Sequence, residues 1–148
     1  AQETAYQALQ LRKAFPRNLV EDWILAFPQI DFYAFQPNLP PSELPSGLCE
    51  LGLPLTDFAQ TAEGLLNMDA VIAVDTAVAH LAASLGVPTQ LLLPHPSPWI
   101  WPACGESSPW YPALRIFRQL SAADWTGPAL EIQRLLAQTS GTKGTLPA

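Results

Sequence analysis

Apolar and polar positions follow two rhythms along this chain, and the rhythms take turns. DAVIAVD (69–75), TQLLLP (89–94) and ALRIFRQ (113–119) are short and almost wholly apolar, the pattern of strands buried on both faces. IDFYAFQ (30–36), aromatic and stopped by Pro37, predicts a further buried strand. Between them the period changes to that of a helix. NLVEDWILAF (18–27) puts Leu19, Trp23, Ile24 and Phe27 on one face and ends at Pro28. TDFAQTAEGLLN (56–67) begins with Asp57 as a cap and Gln60 three residues on, with Phe58, Thr61, Ala62 and Leu65 facing one way. TAVAHLAASLG (76–86) follows, with Gly86 and Pro88 as its stop, and PALEIQRLLAQ (128–138) is the last helix.

Residues 1–15 are rich in helix formers and predict a helix, although YQALQL within them also alternates like a strand. Residues 37–54 and 94–112 hold many prolines and predict irregular connections; the second carries Trp99, Trp101 and Trp110. No internal repeat is present. Apolar strands interleaved with amphipathic helices imply an α/β fold with a doubly wound, mostly parallel, Rossmann-like sheet. One domain is expected over 1–138, with 139–148 as a disordered tail.

Composition narrows the function. The chain has 148 residues, of which 49% are hydrophobic and 14% charged, which suits a globular domain. Net charge is −6, and no lysine or arginine lies between Asn18 and Leu114. Nucleic acid and anionic membrane surfaces demand a basic stripe that is missing here. No apolar run is long enough to span a bilayer, and the lack of a leader pattern leads to the expectation of a cytoplasmic protein. Cys49 and Cys104 have no metal-type spacing and are expected as free thiols. No metal or cofactor is expected. A bound phosphate would have to be held mainly by backbone amides and a helix dipole.

One junction stands out. Ligands of open parallel sheets bind at the carboxyl ends of the strands, and there an apolar strand gives way to Asp75 and Thr76, then to a helix opening on Ala77. The first amides of a helix lack intrahelical acceptors and sit at the positive end of its dipole, and small residues let an anion approach them. Val78, Leu81, Ala82 and Leu85 are expected to face the sheet. His80 lies about 200° round from Val78, toward a cleft or solvent. Asp75 is open to two readings, helix cap or ligand contact. A hydrolase has little support: no G-x-S-x-G elbow exists, and His95 is alone in a loop.

NMDAVIAVDTAVAHLAASLGVPTQLLLP, with PLTDFAQTA before it and SPWYPALRIFRQ after it, resembles the C-terminal half of heptosyltransferase-like glycosyltransferases, glycosyltransferase family 9, of the kind linked to tetratricopeptide repeats. The resemblance spans about residues 13 to 138 and is strongest over 54–120. It implies one half of a GT-B-type two-domain fold. It implies also that Asp75, Thr76, Ala77 and His80 bind the diphosphate and sugar of a nucleotide-sugar donor. In that reading Thr76 and Ala77 present amides, Asp75 accepts from sugar hydroxyls or caps the helix, and His80 donates to a phosphate oxygen. Gln36 would meet the base or ribose. No catalytic residue is assigned, because relatives keep the acceptor site and base in a second domain.

The chain also departs from its relatives. An apolar, glycine-ended strand expected ahead of residue 13 is replaced by AQETAYQALQ, and Arg12, Lys13 and Arg17 stand where a basic loop would follow. Ile100 and Pro98 replace a basic and an acidic residue of the aromatic loop. The implied function is a donor-binding domain that does not turn over alone, an enzyme only when an acceptor domain joins it. The alternative is a non-catalytic interaction or oligomerisation module. Expected partners are a nucleotide-diphosphate sugar, a second copy, or a tetratricopeptide-repeat or acceptor domain.

Overall fold

The computed structural model describes residues 14–36, 44–49, 51–52 and 55–139. Helix α1 spans Arg17–Ala26, α2 Phe58–Leu66, strand β1 Val71–Val74, α3 Ala77–Ser84, β2 Thr89–Leu93, β3 Leu114–Arg118, and α4 Thr126–Thr139. Among the described residues the sheet has three parallel strands in the order β1-β2-β3. Val71 pairs with Thr89 and Thr89 with Leu114, so the strands run side by side and their carboxyl ends share one rim.

Alternation along the strands loads both faces. Leu92 and Phe117 pack with Trp23 of α1, with Phe27 just after it, and with Ala129, Ile132, Leu135 and Leu136 of α4. Leu91, Leu93, Leu114 and Ile116 point the other way, against Ala79 and Ala83 of α3 and against Trp101. Leu65 of α2 joins Val71, Ala82 and Val87 on that second side. Helices on both faces of a parallel sheet make the fold α/β and Rossmann-like, consistent with half of a GT-B architecture.

Local signals explain where the helices begin and end. The Asp57 carboxylate accepts from the Gln60 amide at 2.8 Å, an N-cap that contributes about 1 kcal/mol. Gln60 reaches back one residue further than a capping box requires, accepting from the Thr56 amide and hydroxyl. After α3, Gly86 has φ +78°, its N–H bonds to Ala83 O and the Val87 N–H to Ala82 O. That is a Schellman stop, and Val87 packs on Ala82 beneath it.

The faces differ from expectation in two helices. In α2 the buried residues are Thr61, Gly64 and Leu65, while Phe58 is exposed. In α3 it is Ala79, Ala82 and Ala83 that are buried, with Val78, Leu81 and Leu85 flanking toward α2. The alanines let the helix backbone lie close to β2, which bulkier side chains would prevent.

Residues 30–36 do not form a strand. They make one parallel bridge, Tyr33 to Cys49, with the Cys49 amide donating to Phe32 O at 2.8 Å. Ile30, Phe32 and Phe35 are only partly buried against two of the cores, so apolar content is satisfied by packing while ladder partners among the described residues are confined to one residue. The helix expected over 1–15 lies outside the described residues apart from 14–15, which are not helical. The expected strand position ahead of residue 13 and the tail beyond Thr139 lie outside them too; Thr139 itself closes α4. Among the described residues no helix is long and apolar enough to cross a membrane.

Candidate functional site

Asp75 follows the last residue of β1 directly and Thr76 is the N-cap of α3, so the acid and hydroxyl do sit at the carboxyl rim. The N-cap residue itself is Thr76, and the Asp75 side chain reaches the aromatic loop. It is buried, only 9% exposed, and its Oδ1 accepts the indole N–H of Trp101 at 3.0 Å. The same oxygen is 3.5 Å from His80 Nε2. Thr76 is exposed and makes no side-chain cap; its hydroxyl donates backward to Val74 O at 3.2 Å. Ala77, also exposed, opens the helix beside it. The end of α3 thus meets solvent with small side chains around it.

His80 faces outward from the sheet, as its position on the helix predicts, but solvent is only part of what it meets. Its Nδ1 is 3.0 Å from the Tyr111 hydroxyl. Its ring stacks on Trp101, with centroids 5.1 Å apart and planes 19° from parallel. Tyr111 approaches the same imidazole edge-on at 5.7 Å. Asp75, His80, Trp101 and Tyr111 therefore form one cluster, contributed by the ends of β1 and α3 and by two distant points of the 94–113 loop.

The loop is held in place from β3. Arg118 donates to the carbonyls of Gly105 and of Pro102, the latter at 2.6 Å. Partial burial holds the Arg118 pKa below the ordinary arginine value, although the group stays charged. Arg115 pairs with Glu106 at 2.8 Å, and Ser107 bridges to Arg115. Pinned this way, the loop turns Trp101 inward, 3% exposed, and leaves Trp99 94% and Trp110 65% exposed. A stretch that reads as uniformly aromatic in sequence has two fates in space.

Four residues singled out from the sequence, Asp75, Thr76, Ala77 and His80, are neighbours here. Gln36 is exposed at the end of the 30–36 segment, and no hydrogen bond among the described residues joins it to the cluster. Arg17 pairs with Glu21 at 2.9 Å, which with the Ser46 amide lowers the Glu21 pKa; Arg12 and Lys13 lie outside the described residues. Among the described residues no group of three or more His, Cys, Asp or Glu is arranged to hold a metal. In the sequence Trp101 and Tyr111 are only aromatics of the 94–112 connection. Their polar atoms, bonded to the two motif side chains, are what the structure adds.

The model of one protein family, described as glycosyltransferase family 9 (heptosyltransferase), matches residues 43–122 of the 148. No curated protein and no solved structure matches the chain. The matched span runs from the segment before α2 to just beyond β3 and contains every member of the cluster.

Proposed function

The chain belongs to glycosyltransferase family 9, and on that premise we propose that it is the donor-binding half of such an enzyme, binding a nucleotide-diphosphate sugar at the carboxyl rim. The observation that carries this reading is the junction of β1 and α3. There Asp75 and His80 converge beside a helix end that Thr76 and Ala77 leave open. An anion at that end gains from first-turn amides and the helix dipole, which suits a chain with no lysine or arginine between Asn18 and Leu114. Asp75 repels phosphate and so serves the sugar hydroxyls or orients His80. The acceptor and the catalytic base belong to a second Rossmann-like domain, and this half does not turn over alone.

Calorimetric titration with UDP-, GDP- and ADP-glucose tests the reading. Saturable binding is expected with at least one of them. Thr76→Arg should abolish it by filling the approach to the amides, while leaving the unfolding midpoint nearly unchanged because residue 76 is exposed. No saturable heat at millimolar ligand would sink the proposal.

Trp99 and Trp110, both largely exposed, favour a second reading, an interaction module that docks a partner or a second copy through the aromatic loop. The pair to substitute is Trp99 and Trp110, since Trp101 is buried. Light scattering of the native chain that gives a dimer, and a monomer for Trp99→Ala/Trp110→Ala, would favour docking; a monomer in both cases would dismiss self-association.

A further inference from the structure

Hydrogen-bond bookkeeping at His80 leads one step further, on the premise that the rim binds a donor diphosphate. Nε2 faces the Asp75 carboxylate at 3.5 Å, and Nδ1 faces the Tyr111 hydroxyl at 3.0 Å. A ring nitrogen turned toward a carboxylate is favoured as N–H, because a lone pair there would meet negative charge. In the neutral ring Nδ1 can then only accept, and Tyr111 must direct its one O–H to it. The Trp101 indole N–H also ends on Asp75. The Tyr111 proton is then spent on His80 and the Trp101 proton on Asp75, and Tyr111 Oη keeps only lone pairs for a ligand. A phosphate oxygen finds no donor there.

One proton reverses the chain. With Nδ1 protonated, the imidazolium faces Asp75 through Nε2 at 3.5 Å and donates to Tyr111 Oη through Nδ1, and the Tyr111 O–H is released to donate elsewhere. Asp75 offsets the new charge where it forms. We propose that Tyr111 is a ligand-contacting residue of the donor site, and that it becomes a donor to the diphosphate when His80 takes up a proton from solvent on binding. The His80 side chain is 32% exposed, so that proton has a path.

The surroundings leave this coupling to few groups. Asp75 and Tyr111 are the titratable side chains bonded or paired to the imidazole. Of the elements packed on α3, β1 and β2 carry no ionisable side chain, and α2 carries only Glu63, which is exposed. In the loop, Glu106 is paired with Arg115, and His95 and Cys104 are exposed.

The test is titration of the full chain with the same three sugar nucleotides, whose phosphates do not ionise further near neutrality. Each titration is run in two buffers of different ionisation enthalpy at about pH 8, above the ordinary range of imidazole. The heats in the two buffers should differ in the direction of net proton uptake on binding. Tyr111→Phe should weaken binding tenfold or more and drive proton uptake toward zero; His80→Gln should also abolish uptake. Ring nitrogen NMR shifts of His80 give a second readout on the native chain, with Nδ1 unprotonated when free and protonated when bound. Binding with no buffer dependence, or the same proton count in Tyr111→Phe, overturns the proposal and leaves the donor-binding reading standing. Absence of binding by all three nucleotides overturns both.

Discussion

Trp101→Ala should lower the unfolding free energy by about 3–5 kcal/mol, the usual cost of deleting a fully buried large aromatic. Two losses combine. The indole packs in one core with Ala79 and Ala83 of α3 and with Leu91, Leu93, Leu114 and Ile116 of the sheet, a space that cannot collapse fully because the loop is tied to β3 by Arg118. The buried Asp75 also loses an N–H that it accepts at 3.0 Å, and His80 loses the ring on which it stacks. Trp101→Phe separates the contributions: it keeps much of the packing and removes the donor, so a smaller loss of about 1–3 kcal/mol is expected. Urea unfolding reads both. If Trp101→Ala unfolds within about 1 kcal/mol of the parent, Trp101 is not the internal anchor of the loop. Sugar-nucleotide affinity should fall in both variants, since Asp75 and His80 are no longer held.

Phe117→Ala should cost a similar amount, about 3–5 kcal/mol, for a different reason and with a different functional signature. Phe117 is 2% exposed in the middle of the other core, among Trp23, Leu92, Trp125 and Ile132. It has no polar role there. The Arg115 guanidinium sits 5.1 Å above its ring, an additional attraction worth a fraction of the packing. Phe117→Leu, which preserves most of the volume, should lose far less. Because Phe117 lies on the face away from α3, ligand affinity of the folded protein should be unchanged. The contrast is the useful result. A parallel drop in affinity for Phe117→Ala and Trp101→Ala would mean that affinity merely tracks stability, and the cluster around His80 would lose its special standing.

Legibility differed from element to element, and the reasons are physical. DAVIAVD, TQLLLP and ALRIFRQ are strands within a residue or two of their expected bounds, because a run apolar on both faces has few other destinations. Asp57 and Gly86 act at helix ends as expected, since capping is settled by neighbours in sequence. IDFYAFQ shows the limit: its composition is that of a strand, yet a strand exists only where a partner ladder runs beside it, and among the described residues Cys49 pairs with Tyr33 alone. The buried face of α3 differs from expectation for a related reason. Hydropathy ranks Val78, Leu81 and Leu85 above alanine, while close approach to β2 selects Ala79 and Ala83.

The site divides in the same way. Asp75, Thr76, Ala77 and His80 were readable because five or six consecutive residues bridge a strand and a helix, and local geometry alone brings them to one rim. By itself, then, the amino-acid order determined the strand-helix alternation, the caps, and which short segment stands at the carboxyl rim. Tertiary structure alone decided that Trp101 turns in while Trp99 and Trp110 turn out, and that Asp75 accepts from an indole 26 residues away. It also brought Tyr111 to the imidazole from 31 residues away. Pairings at such separations depend on where Arg118 and Glu106 pin a proline-rich loop, and no periodicity within the loop carries that information.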